Sequence, residues 1–193
     1  MFPDHSLMPK EALRLAALGM LAEQPMPYGA LASAVRSFVH HIMGPSPDAM
    51  GSSIELLRYE GLIRATGRED GGREDGAQED HGREDGANAP LMLTAKGREE
   101  FVTLMLATVR APFNDLNKLV VALKLRFLPL LPADRRADQA ALLIEASRVE
   151  LARLIDLRAR HAAEPGTFHD WLDHDIGQAE ARLAWFERLG RDL

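Results

Sequence analysis

PSPDAMGSSIELLRYEGLIRAT, residues 45–66, is the stretch on which the fold turns. It reads as one helix followed at once by one strand. Ser46 is a side-chain cap for free amides, Pro47 suits the first helical position, and Asp48 suits the positive end of the helix dipole. Met50, Ile54 and Leu57 recur at helical spacing and form an inner face, leaving Asp48, Ser52, Ser53, Glu55 and Arg58 outside. Gly61 then ends the helix as a C-terminal cap. Leu62–Thr66 is short and partly β-branched, which predicts a strand.

Two helices precede this unit. KEALRLAALGMLAEQ, residues 10–24, places Leu13, Ala17, Met20 and Leu21 on one face, and PMP stops it. Residues Tyr28–Met43 form the second, with Leu31, Val35, Phe38 and Ile42 as its stripe before GPSP breaks the chain. Downstream, GREDGGREDGAQEDHGREDG (residues 67–86) has no apolar side chain larger than alanine to bury and too much glycine for a helix. PLMLT then supplies a second short strand. The pair reads as a hairpin whose loop, residues 67–88, far exceeds the usual ~2–5 residues. We read that loop as an expanded acidic tip, tolerated because such tips are exposed. Its spacing matches no calcium-binding loop.

From Thr94 the pattern is helical. A first long helix is expected from its Thr94 cap through residues 95–131, a second over 133–163 and a third from Thr167 to about Leu189. The second carries Ile144, Leu151, Leu154 and Ile155, and the third Phe168, Leu172, Ile176, Ala179, Leu183 and Phe186. Trp171 and Trp185 are fourteen residues apart, four turns, and so lie on one side of that helix. A few long helices cannot hide all these stripes, so a two-fold partner subunit is implied.

Composition narrows the function. The chain has 193 residues and no cysteine, which excludes disulfides and cysteine-based zinc sites. No apolar run reaches the ~20 residues of a membrane helix. The first residues carry no basic segment followed by an apolar core, so a cytoplasmic location is expected. Charge is uneven: residues 1–66 carry 5 basic and 6 acidic side chains, residues 67–90 carry 3 and 8, and residues 91–193 carry 15 and 15. His40 and His41 are adjacent and diverge on a helix, while His169 and His174 are five apart, off the spacing of zinc helices. Asp170, Asp173, His174 and Asp175 read as a solvated face. No nucleophile elbow, P-loop or dinucleotide motif occurs, so neither an enzyme nor a metal or cofactor is expected.

Helix, helix, helix, strand, long loop, strand, helix is the order of a winged helix-turn-helix, in which the third helix enters the major groove. ALGMLAEQPMPYGALASAV, PSPDAMGSSIELLRYEGLI and LTAKGREEF resemble the PadR family of bacterial transcriptional regulators, and the later helices resemble its longer, AphA-like type. The resemblance covers most of the chain. It implies a mainly α fold with a DNA-binding winged helix over residues 10–96 and a helical dimerisation region over 97–193. It also implies a homodimeric repressor on a pseudo-palindromic operator of double-stranded DNA. Tyr28, Ser46, Ser52, Ser53, Arg58, Arg64 and Arg68 are the expected DNA contacts. Phe168, Trp171, Leu172, Ile176, Leu183, Trp185 and Phe186 are expected at the dimer core or around a small aromatic effector. The chain departs from the family at Gly51, where a tyrosine is usual, and in a second wing strand without basic or aromatic residues. Those departures support an alternative: an interaction module that kept the winged helix, lost DNA binding and acts through protein partners.

Overall fold

The computed structural model describes residues 1–44, 51–66, 89–163 and 166–193, and for residues 51–53 the backbone alone. Three helices come first: α1 (Pro9–Glu23), α2 (Tyr28–Met43) and α3 (Gly51–Tyr59). Strands β1 (Ile63–Ala65) and β2 (Leu91–Leu93) follow, then α4 (Ala95–Met105) and α5 (Asp115–Phe127). A 3-10 turn at Leu128–Leu130 leads to the long helices α6 (Ala133–Arg160) and α7 (Thr167–Asp192). The architecture is mainly helical with a two-stranded antiparallel sheet, as the sequence predicted. Two compact units arise, one of Pro9–Leu104 and one of Met1–Met8 with Met105–Leu193.

In the first unit α1 is the centre. It packs against α2, α3 and β2, so burial runs unbroken from Leu15 to Leu21 instead of following the single stripe expected. Leu13, assigned to that stripe, is only half-buried. Helix α2 buries Leu31, Val35 and Val39, while Ile42, assigned to the same stripe, is 38% exposed. Ile63 pairs with Leu93, Arg64 with Met92 and Ala65 with Leu91. Met26, in the turn between α1 and α2, exchanges backbone hydrogen bonds with Leu91 and ties that turn to the sheet.

In the second unit α6 and α7 pack along one another. Helix α6 buries Ala140, Leu143, Ser147, Glu150 and Leu154, at spacings of three and four. Helix α7 buries Leu172, Ala179 and Phe186, at spacings of seven. The inner stripe of α6 is thus partly polar, and Ile155, assigned to it from sequence, faces solvent at 49% exposure. Glu150 is tolerated inside because Arg153 grips both of its oxygens, at 2.8 and 2.9 Å.

The expected first long helix is broken. Residues 106–114 leave the helix between α4 and α5. Pro112 has no amide hydrogen for a helical bond, and Asn114 restarts the chain by accepting the Asn117 amide on its side chain at 2.9 Å. The carbonyls left behind by α4 need donors, and Lys124 of α5 supplies them. Its ammonium, fully buried, donates to the carbonyls of Met105 and Ala107, the latter at 2.7 Å, and to Gln139 Oε1 at 3.3 Å. The same loop takes up the N-terminal arm. Thr108 hydrogen-bonds the backbone of His5 and Asp4, and Arg110 binds the Asp4 carboxylate at 2.7 Å while lying 4.2 Å over the Phe2 ring.

Burial pushes the Lys124 ammonium down to about 7. The unfolded side chain holds its proton to ~10.4, so between those values the unfolded chain carries more protons and stability rises with pH. Below pH 7 the cost of the buried charge is present in full. Denaturant unfolding of the wild type and Lys124→Met at pH 7.0, 8.5 and 9.5 reads this directly. The wild type is expected to gain up to ~1.4 kcal/mol per pH unit relative to the variant. Parallel pH profiles would refute the assignment.

Candidate nucleic-acid interface

The geometry that presents α3 begins at its two ends. Ile54 and Leu57 are sealed on the inner side, with α3 packed on α1 and α2. At the C-terminal end Gly61 adopts φ +71°, the left-handed conformation that lets the chain turn sharply. The Leu62 amide then reaches back to the Leu57 carbonyl at 2.9 Å, and the Gly61 amide to that of Arg58 at 3.0 Å. This pair of bonds is a Schellman cap, and buried Leu57 and Leu62 supply its apolar contact.

The start of α4 completes the cap. Thr94 sits against the carbonyls of Gly61 and Leu62, with its hydroxyl at 2.8 and 3.2 Å. Its amide donates to Leu62 as well, at 3.1 Å. The same hydroxyl accepts the Gly97 amide at 3.0 Å, which caps α4. Lys96 donates to the Glu60 carbonyl at 2.9 Å. Residues Leu93 to Gly97 therefore act as a lock on the end of α3. Arg14 of α1 adds a bridge to Glu60 at 2.8 Å and to Glu100 at 3.3 Å.

Around this frame the expected DNA contacts fall unevenly. Tyr28 is the first residue of α2 and lines a groove with Gly29, Glu55, Arg58, Ala65 and Leu91. Arg58 is exposed on the flank of α3, 3.9 Å from Glu55. Arg64 sits in the middle of β1 and is half-buried. Ser46 and Arg68 lie outside the described residues, as does the whole acidic repeat at 67–88; Ser52 and Ser53 fall in the first turn of α3, with only their backbone described. The groove thus brings together Tyr28 and Arg58 from the expected set.

The α7 residues divide in two. Leu172 and Phe186 are buried within the chain, and Ile176 and Leu183 are half-buried. Phe168, Trp171 and Trp185 are exposed by 42%, 50% and 45%. Phe168 stacks on Trp171 at 5.8 Å between ring centres, with His161 edge-on to Phe168. His169 is buried against the carbonyl of His161 at the end of α6. Asp173 pairs with Arg158 at 2.7 Å, which holds its carboxyl below the usual range. Among the described residues no group of acidic and histidine side chains is arranged to hold a metal ion, and no helix is long and apolar enough to cross a membrane.

Leu56 and Tyr59 lie outside the expected set of contacts. They are 47% and 91% exposed on α3. A hydrophobic residue three places from an aromatic one on the outward face was the available signal.

The family described as "Putative AphA-like transcriptional regulator" matches residues 2–190. The chain belongs to that family. No curated protein matches the chain. By its description the family is one of regulators of transcription.

Gly97 is the tightest point of the lock. A Cβ there would stand 2.0 Å from the Leu62 carbonyl oxygen, a backbone atom that cannot swing aside. Gly97→Ala is expected to cost about 3 kcal/mol in denaturant unfolding. Gly177→Ala, on α7 with open space around the new methyl, is expected to stabilise by ~0.5–1 kcal/mol. Equal effects at the two sites would contradict the close approach.

Proposed function

We propose that this AphA-like regulator is a PadR-like, homodimeric repressor that occupies a pseudo-palindromic operator in double-stranded DNA. Helix α3 enters the major groove, with Tyr28, Ser46, Ser52, Ser53, Arg58, Arg64 and Arg68 as contacts to phosphate and base. Residues 10–96 carry DNA binding and residues 97–193 carry dimerisation. The observation that carries the reading is the presentation of α3. One face is sealed by Ile54 and Leu57, the end is locked by Gly61 and Thr94, and the other face is open to solvent. A helix held rigidly with a free face is what groove readout needs.

Dimerisation is supported by apolar surface the chain leaves uncovered. Phe168, Trp171 and Trp185 on α7, with Val149 and Ile155 on α6, are each two-fifths or more exposed. Large exposed aromatics of this kind mark interaction sites. A two-fold mate sets the two α3 helices about one DNA turn, ~34 Å, apart. A flat aromatic effector that inserts beside Trp171 alters that spacing and so the affinity. The protein works in the cytoplasm, where its operator is.

Gel-shift assays against the promoter region of the protein's own gene, at low and moderate salt, test the reading, with sedimentation to give the subunit number. A dimer that binds at low salt and weakens steeply with salt is expected. Arg58→Ala/Arg64→Ala should weaken binding by tenfold or more and flatten the salt dependence by about one unit of slope per lost phosphate contact. A chain that binds no promoter DNA even at low salt would turn the conclusion toward the partner-binding module.

A further inference from the structure

Helix α3 turns carbon as well as charge toward solvent. Its buried residues are Ile54 and Leu57. At ~100° per residue, the direction opposite their midpoint belongs to Tyr59, with Glu55 and Leu56 on its flanks. Tyr59 is 91% exposed and Leu56 is 47% exposed. Arg58 is turned aside, toward the groove it shares with Tyr28, Ala65 and Leu91, and close to Glu55. The residue that projects furthest from α3 is therefore a tyrosine beside a leucine.

We propose that Leu56 and Tyr59 are the sequence-reading pair of α3, and that they pack on thymine C5-methyl groups in the major groove. The inference rests on the DNA-binding reading above and names the base chemistry it would recognise. Residues three apart on a helix are neighbours, so the two side chains form one apolar patch. The major groove displays a single apolar feature, the thymine methyl, and aliphatic or aromatic side chains cover it. Glu55 on the same face repels backbone phosphates, which favours seating this face over base edges. Tyrosine suits the role because it covers a wide area with only two torsions to immobilise. Residues 1–66 carry no excess of basic side chains, so base contacts must supply a larger share of the affinity than in a strongly basic domain.

The test removes the methyl alone. Selection from random duplexes at low salt yields the preferred site of the full chain. Thymidine in that site is then replaced by deoxyuridine, one position at a time. For the wild type we expect a loss of about fourfold for each contacted methyl, the worth of one buried carbon. Leu56→Ala and Tyr59→Ala should bind more weakly and lose that sensitivity, while Tyr59→Phe keeps it. Both alanine changes are at exposed positions, and unchanged thermal melting confirms that the fold persists. A wild type that selects a site yet ignores deoxyuridine overturns the proposal. So do alanine variants with wild-type affinity and preference, an outcome that leaves the apolar pair to a protein partner. Failure to bind any duplex at low salt is a separate result, which removes the DNA-binding reading itself.

Discussion

The close approach of Gly97 to the carbonyl of Leu62 holds the winged-helix unit in its arrangement. That carbonyl takes hydrogen bonds from both the amide and the hydroxyl of Thr94, and only a residue without a side chain leaves room for it. One hydroxyl thus caps α4 and closes the turn out of α3. The left-handed Gly61 makes that turn possible, and Lys96 satisfies the carbonyl of Glu60 just before it. With Arg14 bridging Glu60 and Glu100, the end of α3 is fixed from α1 and α4 together. The short strands bury Ile63, Leu91 and Leu93 and bring Thr94 alongside Leu62.

The second unit is organised differently. Its interior contains Lys124, Gln139, Ser147 and Glu150, all nearly or fully buried. Each has a partner that an apolar residue could not replace. The Ser147 hydroxyl donates to the Leu143 carbonyl, and Glu150 is held by Arg153. Lys124 closes the carbonyls at the end of α4. Buried polar groups of this sort cost desolvation and return definition, because few other packings satisfy them. The N-terminal arm belongs to the same scheme, since Asp4 and Phe2 both close on Arg110.

For a regulator of transcription these two styles suit two tasks. The winged-helix unit keeps one helix rigid with a free face. In the long-helix unit the large apolar residues of α7 divide between an inner seam, at Leu172 and Phe186, and an outer surface, at Trp171 and Trp185. On the proposed reading, net charge in a chain this acidic favours no DNA contact, so the residues α3 presents would carry the discrimination.

How much was legible in the sequence depends on how local the cause was. Helical spacing, proline and glycine stops, and the Thr94 cap are local signals, and they determined the element order, the two strands, the end of α3 at Gly61 and the long helices at the C-terminus. Tertiary structure decided what depends on distant partners. Apolar periodicity ran straight through residues 106–114, where Pro112 and the Asn114 cap break the helix. A lysine at position 124 reads as surface until carbonyls from another element converge on it. Nothing in the first eight residues announced that they would bind residues 108–110. Glu55 and Arg58 were placed on the outer face of α3 without Tyr59, yet the direction of burial set by Ile54 and Leu57 turns Tyr59 furthest outward. A helix carries its own period in its sequence; which side of it is inside is set by what packs against it.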